Sequence, residues 1–432
     1  MENFLKKYIY EELNKSGVIK HGEFVLKSGE KSNFYVNIKE LCSYPVLCSY
    51  LKYLFKIIFS KENNQADRIC GVPYGGMYFS SIFSVDNKLP MIFLRKEAKT
   101  HGTKNLIEGI YEKGDKIILI EDVVTSGASV LEAIEELEKG GLIIEKVYTI
   151  FSRKKEGLDR IIEKGYKIEY ILSLDEYNFY NEKGNNLIEN IRNLKTNNYN
   201  DDDIWGKNNW SEKLIKIIEK KKTPICLSLD VPCISNFFYI LEACKEYICM
   251  VKIHLDMMKD FNFGNKEYLL KICKENDIMI WEDRKFCDIG KTHESQLKNI
   301  DWVDFVSVNP TGGADSLVPF FNKVGIFLLA EMSSKGNIIN NEYTLDVLNM
   351  AYNNKKYISG IIGQNIPKIF KYDILSITPG INLNNKGDNL GQKYRKPSEL
   401  RAMTDILVVG RQIYNSEDPK SECVKILNDF YQ

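Results

Sequence analysis

Eight short apolar runs in the second half of the chain restrict its fold more than any other feature of the 432 residues. They cover residues 225–230, 248–253, 278–282, 305–308, 325–330, 360–362, 374–377 and 406–409, with helical periodicity between them, as in 267–274 and 341–352. Parallel strands covered on both faces read as continuous apolar runs. Eight strand–helix alternations in about 220 residues therefore predict a (β/α)8 barrel, the TIM-barrel architecture. Such a barrel builds its site at the C-terminal ends of the strands, so polar residues should stand where each run stops. They do so at Asp230, at Lys252 and His254, at Asp283 and Lys285, and at Asn309. The series continues with Glu331 to Ser334, Gln364-Asn365, Thr378-Pro379-Gly380 and Gly410-Arg411.

The densest of these ends is Trp281-Glu282-Asp283-Arg284-Lys285-Phe286-Cys287-Asp288, followed by Ile289-Gly290-Lys291-Thr292. Asp283 and Lys285 are two apart and share a face on a strand, with Asp288 beyond the expected strand end. A bare D-x-K-x-x-D suits a surface salt-bridge cluster equally well. At a buried strand end, though, opposite charges are costly to desolvate unless they pair or do chemistry.

Composition narrows the classes. The chain is 44% hydrophobic and 27% charged, as soluble globular proteins are, and its length predicts two domains. Lys plus Arg and Asp plus Glu both number 59, so no global field draws nucleic acid or an acidic membrane. Ten cysteines without a C-x-x-C pair argue against zinc and iron–sulfur sites. No secretory h-region opens the chain and no apolar run approaches a membrane span, so the expectation is a cytoplasmic protein with reduced thiols.

An aperiodic Asn/Asp-rich stretch marks a linker at 196–212, between domains at 1–195 and 213–432. In the first half, 69–73, 91–95, 116–122 and 145–151 read as parallel strands of an open α/β sheet, with helices at 3–16, 44–59 and 129–139. The third of these strands ends in Glu121 and Asp122, followed by the hydroxyl-rich loop Thr125-Ser126-Gly127-Ala128-Ser129 opening a helix. Backbone amides there make an anion cradle, and the two acids suit ribose hydroxyls. A plain helix cap after a strand is the alternative. Neither G-x-G-x-x-G nor G-K-[ST] is present.

This loop resembles the phosphoribosyl-pyrophosphate signature of type I phosphoribosyltransferases. The stretch Arg95-Lys96-Glu97-Ala98-Lys99-Thr100-His101-Gly102 resembles the mobile catalytic loop of orotate phosphoribosyltransferases. The segment Leu26-Lys27-Ser28-Gly29-Glu30-Lys31-Ser32, with Phe34 and Tyr35, resembles their orotate-binding segment. The resemblance covers nearly all of 1–195. It implies that Lys27, Phe34, Tyr35, Tyr74 and Arg153 contact substrate, and that Arg95, Lys96, Lys99 and His101 neutralise the departing diphosphate. It also implies Mg2+ arriving with the diphosphate, and a dimer. One departure stands at Gly75, where some relatives carry a lysine after the tyrosine.

Residues 213–432 resemble orotidine 5′-monophosphate decarboxylases. Matching segments include Leu227 to Val231, Cys249 to His254, Glu282 to Thr292, Glu331 to Ser334, Gly391-Gln392-Lys393-Tyr394-Arg395 and Val409-Gly410-Arg411. The resemblance implies a Lys252–Asp283–Lys285–Asp288 charge array without cofactor, with Lys285 beside C6 of the pyrimidine and Asp288 and Thr292 reaching across a dimer interface. Asp230 would hold the ribose and Ser333 the pyrimidine. Gln392, Tyr394, Gly410 and Arg411 would hold the phosphate, with 382–394 as a lid. His254 is either a ligand or a structural hydrogen-bonder. A lysine set between carboxylates should have its pKa raised. Together the halves imply synthesis of uridine 5′-monophosphate from orotate and phosphoribosyl pyrophosphate through orotidine 5′-monophosphate. Two alternatives remain: a Mg2+-dependent sugar-phosphate enzyme on the same barrel, and an inactive nucleotide-binding fusion.

Overall fold

The computed structural model describes residues 2–25, 31–62, 65–96, 106–178, 209–334, 336–366, 374–384, 394–401 and 403–432. The chain divides into two compact units, Met1–Tyr199 and Asn200–Gln432.

In the first unit an antiparallel hairpin, β1 (Ile19–Val25) and β2 (Lys31–Val36), precedes a six-stranded sheet. The sheet comprises β3 (Arg68–Gly71), β4 (Met91–Leu94), β5 (Ile107–Glu108), β6 (Lys116–Val124), β7 (Ile143–Ser152) and β8 (Ile168–Ser173). Its order is β5-β4-β3-β6-β7-β8, parallel except for the β4–β5 pair. The four expected strands form its centre, and β5 and β8 add edges that the sequence reading did not anticipate. Only the second half of β8 is buried, so it lacks the apolar run that marks its neighbours. Helices Glu2–Lys15, Pro45–Ser60 and Ala128–Lys139 match the three expected. Helix Gly75–Asn87 was missed because two glycines open it, a signal that ordinarily reads as a loop. Those glycines are required by contact: a Cβ on Gly76 would lie 2.2 Å from the carbonyl oxygen of Ile120 in β6.

The second unit is a closed parallel barrel of β9 (Ile225–Ser228), β10 (Met250–Ile253), β11 (Met279–Phe286), β12 (Phe305–Val308), β13 (Gly325–Leu329), β14 (Ile358–Ile362), β15 (Leu375–Pro379) and β16 (Ile406–Val409). All eight expected runs are barrel strands. The ring closes where Ile225 pairs Leu407 and Leu227 pairs Val409. Inside, Phe305 stacks on Phe327 at 4.4 Å and Trp281 meets Phe327 edge-on at 5.1 Å. Leu214 and Ile217, from helix Asn209–Lys221, pack against this interior. That helix starts inside the stretch expected as linker. Ser211 is buried and donates to the Ser359 carbonyl at 3.1 Å, while Trp210 contacts Phe305. Residues 196–208 lie outside the described residues.

Strand β11 runs four residues beyond its expected end at 282. Its register against β12 shifts between Glu282 and Phe286, and Lys285 adopts a left-handed φ of 59°. Such a bulge re-aims side chains without ending the ladder. The ten cysteines form no disulfide, and among the described residues no helix is long and apolar enough to cross a membrane.

Gly76→Ala forces a backbone clash against β6 and should destabilise the first unit by about 1–3 kcal/mol. Calorimetry should show that unit's transition falling while the barrel's stays in place.

Candidate active site

The strand ends of the barrel enclose a cavity of about 290 Å³ lined by, among others, Asp230, Lys252, His254, Asp283, Lys285 and Arg411. Asp283 is its electrostatic centre, only 6% exposed. The Lys285 ammonium lies 2.7 Å from Asp283 Oδ1, and that of Lys252 lies 2.9 Å from Oδ2. Lys252 also reaches Asp230 Oδ1 at 3.4 Å. Burial pushes the Asp283 carboxyl up, but the charges of Lys252 and Lys285, with hydrogen bonds from Lys285 and Ser307, hold it down at about 2. Burial likewise pulls Lys252 down, and the carboxylates of Asp283 and Asp230 outweigh it, keeping the lysine above its ordinary value. Three strands therefore supply an alternating Asp–Lys–Asp–Lys row at one rim of the cavity.

His254 stands beside this row, its Nε2 2.9 Å from Lys252 Nζ. Burial first and then the Lys252 charge lower its pKa, so the ring stays neutral. His254, Asp256 and Glu282 each bring a ligand atom within 4.8 Å of the others, the one such grouping among the described residues. A cation there would face the Lys252 ammonium, which repels it.

At the end of β16, the Arg411 guanidinium lies 5.8 Å from the Tyr394 ring centroid, beside Gly410. Ser333 lines the same cavity. Asp288 and Thr292 are exposed and do not line it. Asp288 follows the strand, and its backbone N–H donates to buried His293 Nε2 at 2.8 Å, while the other ring nitrogen faces the Ser316 carbonyl at 2.9 Å. Gln392 and 385–393 of the expected lid lie outside the described residues.

In the first unit the guanidinium of Arg153 sits 5.3 Å from the Phe34 ring centroid, joining two residues far apart in sequence. The Lys96 ammonium lies 5.5 Å from the ring of Tyr74, which is 68% exposed. Arg95 pairs with Glu108 at 2.8 Å. Glu121 is buried, and burial together with neighbouring Asp122 raises its pKa well above the carboxylate range. Asp122 faces Lys39 at 3.8 Å. Gly127, at φ 74°, turns the loop into helix Ala128–Lys139. The departure at Gly75 has a steric reason: a Cβ there would lie 2.0 Å from Asp122 Oδ2. Lys27, Lys99 and His101 lie outside the described residues.

The sequence reading missed Ser307, Glu282 and Trp281 as parts of the site. Trp281 Nε1 donates to Ser307 Oγ at 2.9 Å, and Ser307 donates to Asp283 Oδ1. Glu282 is fully buried, accepts the Leu255 N–H at 3.1 Å with Oε2, and leaves Oε1 without a partner. Burial raises it to about 7. A hydroxyl inside the apolar run Phe305–Val308 was the one signal available for Ser307.

The phosphoribosyl transferase domain model matches residues 50–176, and the model of the orotidine 5′-phosphate decarboxylase / HUMPS family matches residues 223–426. The uridine 5′-monophosphate synthase of Bos taurus is 32% identical to the chain over 438 residues, covering 92% of the chain and 91% of that protein. That of Caenorhabditis elegans is 30% identical over 464 residues, 96% of the chain and 93% of its own length. The orotidine 5′-phosphate decarboxylase of Kodamaea ohmeri is 35% identical over 230 residues, 49% of the chain and 88% of that protein.

Glu282 supplies a pH test. Its pKa is raised on folding, so its favourable contribution is complete below its ordinary 4.5 and is lost as the pH rises through about 7. Glu282→Gln should stabilise the barrel at pH 8 by an amount on the order of 2–3 kcal/mol and match the parent below pH 4.5. Thermal melts of the two proteins across that range check it.

Proposed function

The chain belongs to the uridine 5′-monophosphate synthase family, and from that premise we propose how its residues divide the work. The chain is a bifunctional enzyme of pyrimidine biosynthesis. Its first unit joins orotate to phosphoribosyl pyrophosphate, giving orotidine 5′-monophosphate, and its barrel decarboxylates that product to uridine 5′-monophosphate. The observation that carries the residue assignment is Asp283 fixed between two lysines inside the cavity.

Decarboxylation at C6 creates a carbanion that the ring π-system does not delocalise. Lys285 stands at C6, balances that charge and delivers the proton. Asp283 faces the departing carboxylate, and Lys252 with Asp230 completes the row and meets the ribose. Because these charges are fixed before substrate enters, little reorganisation accompanies the transition state. Ser333 meets the pyrimidine, with His254 beside the ribose. Gln392, Tyr394, Gly410 and Arg411 grip the phosphodianion, and this remote binding contributes to stabilising the transition state. Exposed Asp288 and Thr292 suit a homodimer in which each barrel lends them to its partner's cavity. Both Asp283 oxygens lie against ammonium groups, which disfavours the Mg2+-enediolate alternative.

In the first unit, Lys27, Phe34, Tyr35, Tyr74 and Arg153 bind orotate and its partner substrate, and Thr125 to Ser129 cradle the 5′-phosphate. Arg95, Lys96, Lys99 and His101 neutralise the diphosphate. Mg2+ bound with the diphosphate would supply charge neutralisation there, and Glu121 and Asp122 face the ribose hydroxyls. The first domain runs from 1 to 195, the second opens with the helix at Asn209 and runs to 432, and the enzyme acts in the cytoplasm.

Mixing the protein with orotate, phosphoribosyl pyrophosphate and Mg2+ should yield uridine 5′-monophosphate. Lys285→Ala should lower decarboxylation roughly a thousandfold or more and make orotidine 5′-monophosphate accumulate. An unchanged final rate would remove Lys285 from the mechanism. Lys99→Ala should slow only the first step, and single-step assays supplied with each substrate separate the two effects.

A further inference from the structure

We infer that Ser307 is a positioning residue of the decarboxylation, locking the Asp283 carboxylate in the one orientation that serves both lysines. The inference rests on the roles assigned above to Asp283 and Lys285. Asp283 has two oxygens and faces three donors: Lys252 on Oδ2, and Lys285 together with Ser307 on Oδ1. A serine hydroxyl has one proton to give. Its direction is set by Trp281, whose indole N–H lies 2.9 Å from Ser307 Oγ. A lone pair of that oxygen is therefore occupied, and the hydroxyl proton is left for the carboxylate. Ser307 and Trp281 are 0% and 1% exposed, so water cannot replace either bond. The three groups form a directed chain, indole to hydroxyl to carboxylate, running from the packed interior to the charged row.

Two lysines alone do not fix a carboxylate. Ammonium groups are rotatable, compact charges that follow a carboxylate as it turns. Rotation of Asp283 about χ2 would draw Lys285 with it, away from C6. The hydroxyl of Ser307 sits on a different strand, β12, whose backbone is paired on both sides. It supplies the rigid reference that the lysines lack, and catalytic groups need such outer support to hold productive geometry.

The test is Ser307→Ala, with Ser307→Thr as the variant that retains the hydroxyl. Ser307→Ala should lower kcat of decarboxylation roughly ten- to a hundredfold, the factor carried by one hydrogen bond to a charged group. KM and the affinity for uridine 5′-monophosphate should stay within about threefold of the parent, because phosphate and ribose contacts are untouched. Ser307→Thr should recover most of kcat. Trp281→Phe keeps an aromatic ring but removes the donor that orients the hydroxyl, and should fall between the two. Phosphoribosyl transfer by the same preparations serves as the internal reference.

A Ser307→Ala protein with a lowered melting temperature but unchanged kcat would reduce Ser307 to a structural residue and overturn the inference. So would equal losses in the Ala and Thr variants. Asp283→Asn separates this failure from that of the underlying assignment. If Asp283→Asn turns over as the parent does, the charged row itself is misassigned. If it loses turnover while Ser307→Ala does not, only the role of Ser307 falls.

Discussion

The second unit is organised around one buried carboxylate. Asp283 is stable as an anion inside a protein only because two ammonium groups and a hydroxyl meet it there, and Lys252 is stable as a cation only because Asp283 and Asp230 meet it. Buried ion pairs of this kind seldom add net stability over apolar packing, so their presence points to a use beyond holding the fold. The barrel accommodates them by geometry. Lys252 and Trp281 are neighbours in register, and the next inward positions on their strands bring His254 and Asp283 to the same rim. An irregularity in β11 then turns Lys285 back toward its own strand's carboxylate.

Much of this was legible before the structure. Parallel strands buried on both faces leave continuous apolar runs, so all eight barrel strands and the four central strands of the first sheet stood out. The polar residue closing each run could be located for the same reason, and Asp230, Lys252, Asp283 and Lys285 do meet in one cavity. What stayed hidden depends on contacts between distant segments. Helix Gly75–Asn87 opens with glycines because its first turn lies against β6, and a tight approach leaves no periodic signal. The first turn of helix Asn209–Lys221 was concealed by polar composition, although Trp210 and Ser211 are tied to the barrel. Ser307 looked like an interruption in an apolar strand, and its meaning emerges only with Trp281 and Asp283 beside it.

The first unit obeys a different electrostatic logic. Its candidate site buries Glu121 as an acid whose pKa is raised rather than as a paired charge, and the roles proposed there fall to a turn, backbone amides and exposed cations such as Lys96. A substrate with many negative charges brings the field with it. The protein needs chiefly to offer donors. In the barrel the substrate's reacting carbon is far from its own phosphate charge, so the protein must build the field in advance.

The seam that closes the barrel carries a consequence for how the enzyme comes into being. The charged row is assembled from β9, β10 and β11, which are consecutive in sequence and among the first barrel strands to leave a ribosome. Gly410 and Arg411 follow β16, the last strand, and reach the cavity only when β16 pairs with β9. An unfinished barrel that contains β9, β10 and β11 still lacks these two residues proposed to hold the phosphate. On the roles proposed above, turnover is thus a property of the completed ring and not of any run of its strands.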